Sequence, residues 1–192
     1  MRTSSVSRKT LETDILVELN LDGSGKTDIE TGIGFLNHML TLFGFHGSFD
    51  LKIKCVGDLD VDSHHTAEDI GLALGQAFKE ALGDKKGIDR YGTMFLPMDE
   101  ALARVSVDIS GRPYLVYNID FNNQRLGQFA TEDFKEFFKG FTNNCLSTIH
   151  LQVLYGENDH HKIEAVFKGF GRALKAASRI TSDNLQSTKG VI

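Results

Sequence analysis

Alternating apolar and polar positions and helical apolar spacing divide the first half of the chain into four segments. Residues 12–31 alternate around a turn at Asp22–Gly25, which predicts a β-hairpin. Residues 34–47 carry apolar side chains at helical spacing and end at glycine, which predicts a helix. Residues 49–57 alternate again as a strand, and residues 64–83 have the pattern of a long amphipathic helix that ends at glycine.

The second half repeats this order of segments. Strand patterns cover residues 93–119, a helical pattern covers 131–146, a strand covers 147–156 and an amphipathic helix covers 160–178. Each half therefore predicts strands, a helix, a strand and a long final helix. An internal duplication is the simplest account of this repetition.

The duplication predicts the fold class. Two half-buried sheets and four amphipathic helices indicate a layered α+β protein, with the helices between or against the sheets. We divide the chain into a first half, residues 1–92, and a second half, residues 93–192. No linker rich in proline, glycine or serine separates the halves, so we expect them to pack as one unit.

Composition restricts the functional classes. The net charge of −5 gives no basic footprint for nucleic acid, so no nucleic-acid partner is expected. No apolar run approaches the length of about 18 residues that a transmembrane helix needs, and the N-terminus lacks the apolar segment of a secretory signal. Cys55 and Cys145 alone make a poor disulfide framework. We therefore expect a cytoplasmic protein with reduced thiols and no membrane partner.

Both long helices begin with the motif His-His-x-x-Glu. The six motif residues are His64, His65, Glu68, His160, His161 and Glu164. Residues three or four apart share a helix face, so each glutamate lies near its histidines. Adjacent histidines diverge by about 100° around the helix axis, so the two rings of a pair should serve different metal ions. One copy alone is explained equally well by chance histidines at an exposed helix start, and the matched second copy favours metal binding.

Other residues extend the candidate metal site. Imidazole and carboxylate ligands without thiolate suit Mn, Fe, Co, Ni or Zn, and the residues do not choose among these metals. His38 is a third candidate ligand, with a satisfied core or capping histidine as the alternative. Glu136 stands at the corresponding place in the second half, which favours ligation by both. His46 ends a helix, where it caps the helix or faces the site, and His150 on a predicted strand is interpreted as structural.

Five segments together resemble the imidazoleglycerol-phosphate dehydratase family. They are TGIGFLNHML, GDLDVDSHHTAEDIGLALGQA, PMDEALARVSVDISGRPYL, GENDHHKIEAVFKGFGRAL and STKG, and they follow the family's order from about Arg8 to Ile192. The resemblance implies dehydration of imidazole glycerol phosphate to imidazole acetol phosphate in histidine biosynthesis. It also implies two manganese ions per active site and a duplicated α+β fold with a helical bundle between two four-stranded sheets. The family's assembly is a cage of twenty-four subunits with active sites at subunit interfaces.

The resemblance also implies the site residues, motif by motif. Its metal ligands are His38, His64, His65, Glu68, Glu136, His160, His161 and Glu164. Its catalytic residues are Glu12, as acid or base, with His64, His65, Glu68, His160, His161 and Glu164. Its substrate-binding residues are Glu12, His38, His46, Arg90, Arg112, Ser187, Thr188 and Lys189, the cations among them on the phosphate. Glu136 departs from the family, in which many members have Glu-His-Phe-Phe where this chain has Lys-Glu-Phe-Phe, so its ligation stays open.

Without the resemblance, several of these residues fit ordinary structural roles equally well. Glu12 is then an exposed strand glutamate, and the phosphate-binding cations are solvated surface charges. Asp99 and Glu100 are a second acid–base candidate or a pair that orients metal ligands. A dinuclear metal hydrolase would share the ligands but would not need Glu12 together with the cation set. A non-enzymatic metal-binding cage would assemble with metal and turn over no substrate.

Overall fold

The chain folds into two four-stranded β-sheets with four helices between them. The computed structural model describes residues 1–192. The strands of the first sheet are β1 (Thr3–Lys9), β2 (Thr13–Asn20), β3 (Thr27–Glu30) and β4 (Asp50–Gly57), in the order β1-β2-β4-β3. Alternate residues of β2 are buried, so one face of this sheet meets the core and the other meets solvent.

The second sheet has the same strand order as the first, counted along the chain. Its strands are β5 (Tyr91–Met98), β6 (Ala101–Asp108), β7 (Tyr114–Asn118) and β10 (Thr148–Tyr155), in the order β5-β6-β10-β7. A small hairpin, β8 (Arg125–Leu126) and β9 (Phe129–Ala130), stands apart from both sheets.

The helices fill the space between the sheets. They are α1 (Gly34–Gly47), α2 (His64–Leu82), α3 (Asp133–Cys145) and α4 (Asp159–Ser178). Helix α2 packs on β1, β2 and α3, while α4 packs on β5, β6 and α1, and one hydrophobic core joins all the layers. None of the four helices is both long and apolar enough to cross a membrane. The predicted α+β class, with two four-stranded sheets around a helical bundle, is confirmed, and the division at residue 92 stays a prediction.

The predicted hairpin around Asp22–Gly25 is wrong. Strand β2 pairs antiparallel with β1 and β4, and β3 lies at the sheet edge, parallel to β4. A parallel pair needs a crossover connection, and α1 provides it between β3 and β4. The Asp50 carboxylate fixes the turn beside β4, because its Oδ1 accepts the backbone N–H of Ser24 at 2.9 Å and of Lys26 at 3.1 Å.

Glycines allow α2 and α3 to approach closely. A Cβ at Gly71 would lie 2.2 Å from the carbonyl oxygen of Phe137, and a Cβ at Gly140 would lie 2.7 Å from the carbonyl oxygen of Glu68. Interiors are close-packed, so no side chain fits in spaces this small. The first turn of α2, which carries the first His-His-x-x-Glu motif, is therefore held directly against α3.

Candidate functional site

The second His-His-x-x-Glu motif is presented by the N-terminus of α4. Asn158 caps this helix, because its side-chain oxygen accepts the backbone N–H of His160 at 2.9 Å and of His161 at 3.3 Å. The two imidazole rings stand nearly perpendicular, with an interplanar angle of 78° and centroids 6.3 Å apart. The two rings of the pair therefore face different surroundings, as the helical geometry predicts.

His160 forms a cluster with His38 of α1 and Glu164 of α4. Their potential ligand atoms all lie within 4.8 Å of one another. His38 Nε2 lies 3.2 Å from Glu164 Oε1, and the buried Glu164 carboxylate also receives Lys168 Nζ at 3.4 Å. The Phe35 and His160 rings pack nearly perpendicular to each other, with centroids 5.1 Å apart. The packing of α1 on α4 thus brings two imidazoles and a carboxylate to one point.

The first motif is presented in the same way by the N-terminus of α2. The Asp62 carboxylate accepts the backbone N–H of His64 at 2.8 Å, which orders the first turn. His64 Nδ1 lies 3.4 Å from Asp133 Oδ1, and His64 Nε2 lies 3.8 Å from Glu68 Oε2. Asp133 is buried at the start of α3, where it accepts a hydrogen bond from Ser63, and burial raises the pKa of its carboxyl. His64 is therefore held between two carboxylates.

Glu136 reaches the same region from α3 but is engaged by a lysine. Its Oε2 lies 3.0 Å from Lys139 Nζ, one turn further along the helix. The hydrogen bond to Glu136 and, to a smaller extent, the charge of Glu68 raise the pKa of Lys139. An ammonium group therefore lies near both carboxylates of this set, as the Lys168 ammonium lies near Glu164 in the His38 cluster.

The second histidine of each pair is anchored through its Nδ1 by a carboxylate from another segment. His65 Nδ1 lies 2.9 Å from Asp58 Oδ2, and His161 Nδ1 lies 2.7 Å from Glu100 Oε2. These hydrogen bonds are the largest cause of the raised pKa of each histidine. With Nδ1–H donating, each ring turns its Nε2 outward as a free ligand atom.

The carboxylates that the two turns place beside these histidines differ in position and in hydrogen bonding. Glu100 holds His161 Nδ1, and the carboxylate near His161 Nε2 is that of Asp99, at 3.8 Å. His65 Nε2 lies 3.7 Å from Glu12 Oε1, and the Glu12 side chain is 52% exposed with no hydrogen bond of its own. Glu100, by contrast, accepts the backbone N–H of Glu157 at 3.2 Å and of Asn158 at 2.8 Å. The Asn158 hydrogen bond is the largest cause that lowers the Glu100 pKa to about 2. The Glu100 carboxylate is therefore occupied by hydrogen bonds that hold the fold together, whereas the Glu12 carboxylate makes no hydrogen bond.

The candidate phosphate residues lie near the C-terminal tail. The Arg90 side chain donates to Asp108 Oδ1 at 2.7 Å and to the carbonyl oxygen of Gln186 at 2.8 Å, so it ties β6 to the tail. The exposed Arg112 guanidinium lies 3.8 Å from the same aspartate. A groove of about 410 Å³ is lined by Arg90, Tyr91, Leu185, Gln186, Ser187 and Thr188. Lys189 follows these residues and is exposed to solvent.

The remaining histidines lie elsewhere. His46, at the end of α1, lines a separate groove of about 300 Å³ together with Arg172, Lys175 and Arg179. Burial, followed by the charges of Lys168 and Arg172, lowers the pKa of His46. His150 is exposed on β10 and belongs to neither histidine cluster. Within one chain, the structure therefore does not bring His46 into the groove beside the tail.

Two residues that contact the candidate histidines, Asp58 and Asp133, were not identified from the sequence. Asp58 lies seven residues before His65, in the same segment, and this spacing could have pointed to it. Asp133 lies on a different helix, and no local pattern links it to His64. Asp58 Oδ1 is buried without a hydrogen-bond partner, while its Oδ2 receives the histidine.

The residues fit a divalent metal ion. Bond lengths of about 2.1 Å place two ligands of one ion up to about 4.2 Å apart, so small side-chain adjustments would let the three donors of the His38 cluster converge. Nitrogen and carboxylate oxygen donors suit manganese and its neighbours in the first transition row. The carboxylates behind His65 and His161 are the partners that ligating histidines normally have.

Comparison with known proteins gives the family. The family model described as imidazoleglycerol-phosphate dehydratase matches residues 31–174. A relative of that name from Clostridioides difficile is 61% identical over the full length of both chains. Another, from Clostridium botulinum, is 54% identical and is matched over all of this chain and 98% of its own.

Solved structures agree with the sequence comparison. The crystal structure of imidazoleglycerol-phosphate dehydratase from Staphylococcus aureus is 45% identical, with a TM-score of 0.85 over 93% of this chain and 99% of that one. The structure from Pyrococcus furiosus is 42% identical, with a TM-score of 0.86 over 97% of this chain and all of that one. The chain therefore belongs to the imidazoleglycerol-phosphate dehydratase family, hydro-lyases of histidine biosynthesis.

Proposed function

We propose that the chain dehydrates imidazole glycerol phosphate to imidazole acetol phosphate with two manganese ions per active site. The observation that carries the metal dependence is the convergence of His38, His160 and Glu164 within 4.8 Å. Family membership supports the reaction, and this cluster supports the metal. When bound, the metal ions would supply Lewis acidity and a template for the imidazole ring of the substrate.

The metal-holding residues fall into two sets in this proposal. One set is His38, His160 and Glu164, and the other is His64 and Glu68 with Glu136. His65 and His161 add their outward Nε2 atoms to ions held by other donors. A first-row ion takes up to six ligands, and each set offers three, so further ligands must come from elsewhere.

The cations beside the tail hold the substrate phosphate. Arg90 is fixed by Asp108 and by the Gln186 carbonyl, so its position costs little ordering when the phosphate binds. Arg112 is free to turn toward the ligand, since its contact with Asp108 is long. Lys189, Ser187 and Thr188 add donors from the C-terminal tail.

Glu12 is the proton carrier. Its carboxylate is exposed, makes no hydrogen bond, and lies 3.7 Å from His65 Nε2. It therefore keeps its lone pairs for the substrate, where Oε1 takes the proton from the carbon next to the departing hydroxyl. Glu100 cannot take this role in the same way, because its carboxylate is already occupied by backbone N–H groups.

The proposal includes a homo-oligomer, a cage of twenty-four chains with active sites at the interfaces. It is supported by the Nε2 atoms of His65 and His161, which point outward. Within the chain, each of these atoms lies near one carboxylate and belongs to no cluster of three potential ligands. A cytoplasmic location completes the proposal, and the two free, buried thiols of Cys55 and Cys145 suit it.

Mixing His65→Ala and His160→Ala subunits tests whether an active site is shared between chains. Activity should return in the mixture if one site draws these residues from different chains.

The test of function is turnover by metal-stripped protein before and after Mn²⁺ is added. We expect imidazole acetol phosphate to form only with the metal present. Inorganic phosphate is measured in the same assay, because its release would indicate a metal hydrolase instead. Metal binding and assembly without any product would indicate a non-enzymatic metal-binding cage. Turnover at full rate without metal would remove the metal from the proposal.

A further inference from the structure

We propose that Asp69 is a positioning residue that holds Glu12 over the first His-His-x-x-Glu motif by way of Thr13. This inference rests on the proposed role of Glu12 as proton carrier. Asp69 directly follows Glu68 on α2, so its side chain leaves the helix about 100° away from the metal-facing carboxylate. It points instead toward the turn between β1 and β2, where Glu12 lies.

Asp69 is a buried carboxylate with two partners on this turn. The Thr13 hydroxyl donates to Asp69 Oδ2 at 2.5 Å, and Arg8 Nη1 lies 2.5 Å from the same oxygen. The Asp69 side chain is 9% exposed, and Thr13 is buried at the start of β2. A buried carboxylate is costly unless it is paired, and Arg8 supplies the opposite charge. The two contacts fasten both strands that flank the turn to α2.

Hydrogen bonds within the β1–β2 turn connect the Asp69 contacts to Glu12. Thr10 Oγ1 accepts the backbone N–H of Glu12 at 3.1 Å and of Thr13 at 3.0 Å, which closes the turn on itself. The Glu12 carbonyl oxygen accepts the backbone N–H of Asp58 at 3.0 Å, and Asp58 in turn holds His65. A continuous path therefore runs from Asp69 through the turn to the histidine that faces the Glu12 carboxylate.

The second half of the chain lacks this device. Ala165 follows Glu164 where Asp69 follows Glu68, so α4 has no carboxylate to offer the β5–β6 turn. That turn is anchored by its own acid, because Glu100 accepts two backbone N–H groups and the His161 ring. In the first half, Asp69 takes over the anchoring. The Glu12 carboxylate itself makes no hydrogen bond, so it is available for proton transfer.

The test removes the Thr13 hydroxyl and keeps the side-chain volume. Thr13→Val should lower kcat about 10- to 100-fold, the usual effect of displacing a reacting group by about 1 Å, with KM and bound manganese unchanged. Thr13→Ser keeps the hydroxyl and should restore most of kcat. Thr142→Val is the matched control, because the buried Thr142 hydroxyl has no hydrogen-bond partner, and its kcat should equal that of the parent protein.

A double variant separates positioning from general stability. If Thr13 acts through Glu12, Thr13→Val should cost less than about twofold in a Glu12→Gln background, where the proton carrier is already lost. An equal fold-loss in both backgrounds would overturn the inference and leave Asp69 a purely structural residue. Asp69→Asn should behave like Thr13→Val. If Asp69→Asn fails to fold, the Thr13 pair alone decides the matter.

Failure of the underlying function is visible separately. Full activity of Glu12→Gln would refute the proton-carrier role itself, whatever the Thr13 variants do. A low Glu12→Gln rate together with an unchanged Thr13→Val rate would keep Glu12 and reject Asp69. The two single variants therefore distinguish the two ideas.

Discussion

His161 Nδ1 and Glu100 Oε2 are joined by a 2.7 Å hydrogen bond, although the residues lie 61 positions apart in the chain. Glu100 Oε1 also accepts the backbone N–H of Asn158 at 2.8 Å, so one carboxylate joins the β5–β6 turn to the start of α4. The orientation of His161 is therefore fixed from outside its own motif. The affinity of His161 Nε2 for a metal ion should therefore depend on this hydrogen bond.

Removing the Glu100 carboxylate should weaken metal binding. We expect Glu100→Ala to lower Mn²⁺ affinity about 10- to 100-fold, the range typical for losing the carboxylate behind a ligating histidine. Glu100→Gln should lose less, because an amide oxygen still accepts the hydrogen bonds. Equilibrium dialysis against Mn²⁺ measures the effect. Glu157→Ala removes an equal charge from an exposed neighbour whose carboxylate makes no ion pair, and an equal loss there would reject the specific role of Glu100.

Lys139 should compete with metal at the second ligand set. Its ammonium lies 3.0 Å from Glu136 and is close enough to Glu68 for that charge to raise its pKa as well. We expect Lys139→Met to raise Mn²⁺ affinity about 2- to 5-fold, the effect of one exposed charge contact worth ~0.5–1 kcal/mol. Lys135→Met on the same helix is the control, since Lys135 makes no ion pair. Lower affinity in Lys139→Met would mean that Lys139 supports the Glu136 side chain instead.

Lys189 should act on substrate binding rather than on the chemical step. It follows the groove that Arg90 shares with residues 185–188, where a phosphate would meet several donors. We expect Lys189→Ala to raise KM about tenfold and to change kcat much less, because the phosphate is bound equally before and during reaction. Steady-state kinetics would test this, with Lys79→Ala as the control because Lys79 is an exposed lysine that makes no ion pair. An unchanged KM would remove Lys189 from the phosphate site.

The sequence pattern predicted the helices better than the strand pairing. Apolar spacing placed α1 at residues 34–47 and predicted the end of α2 at Gly83, where the structure has positive φ and a helix cap. The same pattern could not tell which strands pair, because a period of two marks a half-buried strand without naming its neighbour. The parallel pairing of β3 with β4 follows from the α1 crossover and from Asp50, which are not local signals.

The same distinction between local and distant signals applies to the candidate site. Most of the proposed ligands lie in the two motifs at helix starts, where spacing alone brings each histidine near its glutamate. Their supporting carboxylates come from distant segments, as Asp133 does for His64 and Glu100 for His161. The different anchoring of Glu12 and Glu100 involves Asp69 in α2, where α4 has Ala165, and the backbone N–H groups of Glu157 and Asn158 that Glu100 accepts. None of these contacts is visible before the helices are packed on their turns.

The two cysteines should resist alkylation in the folded protein. Burial raises the pKa of the Cys55 thiol to about 12 and that of Cys145 to about 11. A raised pKa means less thiolate, which is the reactive form, and burial also hinders access of the reagent. Iodoacetamide should give no adduct by intact mass, and two adducts in guanidinium chloride. An adduct on the folded protein would show that one of these sites opens.

The close crossing of α2 and α3 should be the most sensitive point of the bundle. A Cβ at Gly71 would lie 2.2 Å from a backbone carbonyl, which cannot turn aside as a flexible side chain can. We expect Gly71→Ala to lower the free energy of unfolding by about 1–3 kcal/mol through overpacking. Gly34→Ala is the matched control, because a Cβ there meets nothing within 4 Å and alanine favours a helix.

The position of Gly71 gives this substitution a second consequence. It lies one turn beyond Glu68, so pushing α3 away also moves Glu136 and Asp133 from the first motif. Gly71→Ala should therefore lose Mn²⁺ from that set while the His38 cluster, held by α1 and α4, retains its ion. Thermal unfolding and metal content by mass spectrometry would be measured together. A stable Gly71→Ala protein with full metal content would contradict the tight crossing.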